Sequence, residues 1–155
     1  MPIPTAQQID DYEAASARVA TAIGGLNDSQ MRYSPGESEW SIHEVLVHLP
    51  DSEIFGFERI RRTLVEEKPT LRTYDEDVWA QKLAYAAQDR TLALALFTAL
   101  RRSSAALLRT LPATAWERTA VHPERGEMSL YDIFKLYVEH GQIHLEQIER
   151  LKQSV

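Results

Sequence analysis

The chain has 155 residues, enough for one domain with a substantial core, and its hydrophobic and charged fractions of 44% and 26% are those of an ordinary globular protein. Its formal net charge is −6 and no run of Lys or Arg exceeds two, which argues against nucleic-acid binding. The absence of cysteine excludes disulfides, thiolate-bound zinc and a thiol nucleophile supplied by the chain.

The sequence also bears on location. No apolar run approaches the roughly 18 residues that cross a membrane. Residues 1–13 lack the basic and apolar regions of a signal peptide. We therefore expect a single domain over residues 1–155 that is cytoplasmic and has no membrane partner.

The first predicted helix runs from about Thr5 to Ala22, after two prolines. Thr5 and Gln8 have the spacing of a capping box, in which each side chain bonds the other residue's backbone N–H. Its predicted buried face comprises Ile9, Tyr12, Val19 and Ile23. The polar stretch 27–39 that follows predicts a loop.

The second predicted helix begins after Ser41 and runs to about Glu66. Ser41 and Glu44 form another capping box, with the apolar Trp40 just before it. Pro50 predicts a kink about one turn past His48, because proline removes a backbone donor. The predicted inward positions are Val45, His48, Leu49, Phe55, Ile60 and Leu64.

A long connection, 68–90, follows and is predicted to hold a short helix from about Asp75 to Tyr85. The third main helix spans roughly Asp89–Leu111, with a core face of Ala93, Leu96, Phe97, Leu100, Leu107, Leu108 and Leu111. Residues 113–128 predict a loop. Because no segment shows sustained two-residue alternation, no strand is predicted.

Ser129 and Asp132 open a fourth main helix, which reaches Leu151. The four main helices predict an all-α domain with the architecture of a four-helix bundle. The long connection between the second and third helices suits a link between parallel neighbours, since short loops join antiparallel ones.

Histidines on two helices are the main chemical signal. His140 and His144 are four residues apart and share one helix face, close to the apolar stripe. Buried imidazoles need partners, and a divalent metal is a common one. His48 is the best third ligand because it lies inward at a similar depth, whereas His43 lies on a face about 140° away.

Other interpretations stay open at this stage. An HxxxH pair arises often by chance, and a buried histidine more commonly bonds a carbonyl or carboxylate group. Glu44 and Tyr137 are candidate catalytic groups, but capping and core packing explain them more simply. Ser52 and Gln147 are one turn from predicted ligands. We expect Asp75, Glu76 and Asp77 to cap a short helix, Tyr74 and Trp79 to pack under the connection, and His122 to be solvated.

Three segments together resemble the DinB/YfiT-like family. They are Trp40-Ser41-Ile42 with Glu44 and His48, then TYDEDVWA at 73–80, and EHGQIHLEQIERL at 139–151. The resemblance implies a bundle with up-down-down-up topology and a crossover between the second and third helices. It also implies a divalent metal, commonly zinc or nickel, held by His48, His140 and His144, and pairing into homodimers.

The resemblance leaves the reaction open. Relatives include thiol-dependent S-transferases and proteins described as metal-dependent hydrolases. We therefore expect a metal-dependent enzyme that activates a low-molecular-weight thiol or a water against a small molecule. The alternative is a non-catalytic, metal-binding bundle related to damage or stress.

Overall fold

Helices make up most of the structure, a computed structural model that describes residues 2–155. The helices are α1 (Ala6–Ala22), α2 (Asp28–Arg32), α3 (Ile42–Val65), α4 (Glu76–Lys82), α5 (Arg90–Leu108) and α6 (Leu130–Lys152). Short 3-10 turns lie at Tyr85–Ala87 and Ala113–Glu117. Two strands, β1 (Thr119–His122) and β2 (Gly126–Ser129), precede α6.

The main helices begin where capping residues predict. Thr5, Ser41 and Ser129 each accept a hydrogen bond from a backbone N–H three residues on, and the third residue of each helix reciprocates. These bonds satisfy donors that a helix start leaves unpaired. Helix α3 continues through Pro50 as a single element.

Contacts between helices establish the bundle topology. His43 of α3 meets Arg90 of α5, and Arg61 meets Ser104, so α3 and α5 run in the same direction.

Helix α6 runs against α3, since His48 meets His144 whereas Gly56 lies against Tyr137. Helix α1 opposes α5, because Asp10 meets Arg109 and Tyr12 meets Arg101. The order is therefore up-down-down-up, and the predicted crossover joins the parallel pair.

A charged cluster lies at the centre of the bundle. Arg101 and Glu53 are fully buried and bond each other, Nε to Oε2, at 2.9 Å. The Arg101 guanidinium also donates to the carbonyls of Tyr12 and Tyr137, and the Tyr12 hydroxyl donates to Glu53. This cluster joins all four main helices. Gly141 leaves the space that the guanidinium occupies, because a Cβ there would lie 3.0 Å from Nη1.

The prediction that the chain contains no strand is wrong. Strands β1 and β2 pair antiparallel from Thr119 opposite Ser129 to His122 opposite Gly126, and Thr70 bridges to Val121. Each strand has only four residues, too few for an alternating pattern to stand out. The hairpin anchors the start of the crossover, because Leu71 N donates to the Val121 carbonyl.

Two further predictions differ from the structure. Leu96, assigned to the core, is 44% exposed, because α5 buries Ala93, Phe97, Ala105 and Leu108 instead. The predicted loop 27–39 contains α2, which Asn27 caps.

Among residues 2–155, α5 alone is long and apolar enough to cross a membrane, a property that core helices of soluble proteins share. A third of the residues in its apolar stretch are buried, and Arg101 near its middle bonds Glu53 in the central cluster. We therefore interpret α5 as a bundle helix.

Candidate metal centre

The structure brings the three predicted histidines together. His48 comes from the second turn of α3, and His140 and His144 come from successive turns of α6. Because α3 and α6 are antiparallel neighbours, residues 92 positions apart meet at one level of the bundle. His48 is fully buried, His144 is 8% exposed and His140 is partly exposed.

The ring nitrogens converge closely enough to share a cation. His140 Nε2 lies 3.1 Å from His48 Nε2 and 3.0 Å from His144 Nε2. One ligand atom from each of the three residues lies within 4.8 Å of the other two. Two nitrogens bound at about 2.1 Å to one ion are at most about 4.2 Å apart, so the Nε2 separations of 3.1 and 3.0 Å fit.

Hydrogen bonds among the three histidines cannot satisfy all of their ring nitrogens. A neutral imidazole has one N–H, and the His140 Nε2 faces two other Nε2 atoms and the Ser52 hydroxyl at 3.3 Å. The Nδ1 atoms of His48 and His140 are buried and have no hydrogen-bond partner among residues 2–155. A cation among the Nε2 atoms would use the converging lone pairs, so the donor set fits a divalent metal.

The protein holds these imidazoles in the neutral form that binds metal. Burial, followed by the neighbouring imidazole of His144, lowers the pKa of His48 to about 3. Burial and both neighbouring histidines lower the pKa of His140 to about 2. Burial also lowers the pKa of His144, although Gln147 opposes the shift.

Residues around the ligands fix their orientation. Gln147 Oε1 lies 2.8 Å from Nδ1 of His144, which leaves Nε2 facing the cluster. The Trp40 ring packs on the His48 ring with centroids 4.7 Å apart. Ser52, which like Gln147 lies one turn from a predicted ligand in the sequence, also contacts the cluster, because its hydroxyl lies 3.3 Å from Nε2 of His140.

The position of Glu76 beside the histidines was not predicted from the sequence. Its Oε2 lies 3.8 Å from His48 Nε2, although the residue belongs to the crossover helix α4. Burial, followed by the charges of Asp77 and Asp75, raises the pKa of its carboxyl group. The expectation that this acidic group caps a short helix is confirmed, because Asp75 accepts from Val78 N and Glu76 and Asp77 lie in the first turn of α4. No local pattern signals a contact made across the bundle.

A pocket of about 290 Å³ opens beside the cluster. Its walls include His144 and Gln147 from α6, Glu76 and Asp77 from α4, and the side chains of Ser38, Glu39, Trp40 and Arg150. The pocket gives a small molecule access to the side of the cluster that α4 borders.

The two candidate catalytic groups have structural roles. Glu44 Oε2 accepts from the backbone N–H and hydroxyl of Ser41, which is the capping role. Tyr137 is buried in the core, and burial raises its pKa. Its ring centroid lies 6.3 Å from that of His140. Neither residue lines the pocket.

The other two histidines lie outside the cluster. His43 is buried, and its ring nitrogens contact the Tyr85 carbonyl and Arg90. His122, predicted to be solvated, is instead 5% exposed. Its Nδ1 accepts from the backbone N–H groups of Glu124 and Arg125. The prediction failed because the hairpin that encloses His122 was not predicted.

Comparison with known proteins identifies the family. The model of the DinB superfamily matches residues 11–148. The chain belongs to the DinB superfamily. The solved structure of YfiT from Bacillus subtilis, described as a probable metal-dependent hydrolase with an unusual four-helix bundle topology, superimposes with a TM-score of 0.89. It is 30% identical, and the match covers 96% of this chain and 85% of that one.

Several relatives of this DinB-superfamily chain are also named as metal-dependent hydrolases. "Putative metal-dependent hydrolase YfiT" of Bacillus subtilis is 32% identical over 148 residues, which are 95% of this chain and 83% of the relative. A Bacillus licheniformis protein named "Putative metal-dependent hydrolase" is 34% identical, covering 91% and 81%. One from Geobacillus kaustophilus with that name is 31% identical, covering 98% and 93%.

Proposed function

We propose that the chain is a metal-dependent hydrolase that binds one divalent cation, zinc or nickel, through His48, His140 and His144. The convergence of three buried imidazoles beside an open pocket carries this proposal. The names of the relatives support the class of reaction.

The residues of the site have distinct roles in holding the cation and orienting its ligands. Three neutral imidazoles hold the cation, and Gln147 keeps Nε2 of His144 turned toward it. Three protein ligands leave coordination positions free, the arrangement of catalytic rather than structural metal sites. When bound, the cation supplies Lewis acidity, which polarises a carbonyl group and makes a water molecule acidic near neutral pH. Trp40 packs on His48 and shields that side of the site from solvent.

Transfer of a thiol is the second candidate reaction. The free coordination side suits a thiolate as well as a water. Since the chain has no cysteine, a low-molecular-weight thiol would have to come from outside. The alternative to an enzyme is a helical bundle that binds metal but has no catalytic activity.

The test combines metal content with activity. We expect about one zinc or nickel per purified chain by elemental analysis, and none in His144→Ala. With a panel of esters, amides and thiol acceptors, we expect turnover by the loaded wild type and a loss of about 100-fold or more in the variant, because two imidazoles bind metal weakly. A folded, metal-loaded wild type that is inert across the panel would support the non-catalytic alternative.

A further inference from the structure

The three histidines of the candidate metal centre would not neutralise the positive charge of a bound cation. Three neutral imidazoles leave both charges of a divalent cation uncompensated. Glu53 is close along α3, but Arg101 and Tyr12 already bond its carboxylate. Asp51 accepts a hydrogen bond from the Tyr85 hydroxyl. Compensation of this charge by the protein would need another carboxylate near the ligands.

Glu76 meets this need by position. Its Oε2 lies 3.8 Å from Nε2 of the neutral His48, and within residues 2–155 its carboxylate forms no salt bridge with a lysine or arginine. The side chain is 58% exposed and lines the pocket together with His144. Its charge therefore lies on the solvent side of the imidazoles, and in the described part of the chain no other carboxylate lies within salt-bridge distance of a ligand.

Aromatic packing fixes the helix that carries Glu76. Tyr74 stacks on Phe55 of α3 with ring centroids 4.4 Å apart and an interplanar angle of 14°. Trp79 packs against both rings, at 5.4 and 4.8 Å. Glu76 lies between Tyr74 and Trp79 in the chain, so both sides of its backbone are anchored to the helix that supplies His48.

We propose that Glu76 is the charge-compensating partner of the metal centre, which stabilises the bound cation from the pocket side and accepts a hydrogen bond from a molecule in the pocket. Glu76 lies outside the group of ligand atoms within 4.8 Å of one another, so it acts beside the ligands rather than as one. This inference deepens the proposed function and rests on it.

The test measures zinc affinity by competition with a chelator, so it does not depend on a substrate. We expect Glu76→Gln to raise the Kd for Zn²⁺ by about 10- to 100-fold, the range for partners that adjoin metal ligands. Asp77→Asn is the matched control, because Asp77 has the same charge on the same helix and lines the same pocket but contacts no histidine. We expect its Kd to change by about threefold or less, because its carboxylate contacts none of the ligands and salt screens an exposed charge at a greater distance.

The possible outcomes separate the two proposals. If the wild type binds no Zn²⁺, Ni²⁺ or Co²⁺, the proposed metal centre fails and this inference fails with it. If the wild type binds zinc but Glu76→Gln binds as tightly, or if Asp77→Asn weakens binding equally, only the role of Glu76 is overturned. Equal melting temperatures of the metal-free proteins would show that the substitutions leave the fold intact.

Discussion

Arg101 is the residue whose environment most constrains the bundle. Its guanidinium is fully buried and reaches α1, α3 and α6, with Glu53 as its single carboxylate partner within residues 2–155. A buried ion pair is not itself strong evidence of stability, because desolvation offsets the attraction between the charges. Removing one partner is costly, however, because the other charge is then left buried and uncompensated.

We therefore predict that Glu53→Gln lowers the free energy of unfolding by about 3 kcal/mol, measured by urea denaturation of the metal-free protein. Asp11→Asn is the control. It breaks the surface pair with Arg18, so the midpoint of unfolding should hardly move. A loss below about 1 kcal/mol in Glu53→Gln would mean that water or a rearranged side chain neutralises Arg101.

The metal ligands show how far single residues can be interpreted from sequence. The spacing of His140 and His144, with the inward position of His48, predicted a cluster that the structure contains. Helical periodicity determines such positions locally. Arg101 and Glu53 could not be paired in this way, because the partners of a buried charge depend on how helices distant in sequence pack together.

The same contrast appears among the elements. Capping boxes at Ser41 and Ser129 predicted where α3 and α6 begin, because each uses groups within four residues. The β1–β2 hairpin was missed, because its strands are short and its stability depends on Leu71 and the crossover. The contact between Glu76 and His48 was not predicted for the same reason, since it exists only after α4 docks.

The hairpin gives a prediction about pH. Burial, followed by the charges of Arg59 and Arg125, lowers the pKa of His122, while Glu124 opposes the shift. As the pH falls below about 6.5, the unfolded chain takes up a proton before the folded chain does. The free energy of unfolding therefore falls with acidification, by at most about 1.4 kcal/mol per pH unit for this histidine, and is unaffected above that pH.

His122→Asn tests this effect. The Asn Oδ1 can accept the two backbone hydrogen bonds that Nδ1 accepts now, but it does not titrate in this range. We expect the variant to lose less stability than the wild type between pH 7.5 and about 5. Measuring both proteins by urea denaturation with the metal chelated cancels the contribution of the other histidines. Parallel pH profiles would contradict the assignment.

At the scale of the whole molecule, the central cluster and the metal centre lie on the same helices. Glu53 follows His48 on α3, and Arg101 holds the carbonyl of Tyr137 one turn before His140. The fold that positions the ligands is therefore stabilised immediately beside them. The up-down-down-up order follows from the long crossover, which was visible in the sequence as the connection 68–90.

Assembly is a further prediction at this scale. The family resemblance implies a homodimer, so light scattering should give twice the 17.7 kDa mass of the chain at micromolar concentration. His144→Ala should have the same mass, because His144 faces the interior of its own bundle. A monomer mass across a wide range of concentration would show that this chain departs from that pattern.

The separation of the ligands along the chain has a consequence for biosynthesis. His48 is made early, but His140 and His144 belong to the last helix, and 92 positions separate His48 from His140. A ribosome-bound chain that lacks α6 therefore has one of the three imidazoles and cannot retain the ion. Metal capture should follow synthesis of α6, and a bound ion would then close a loop between α3 and α6.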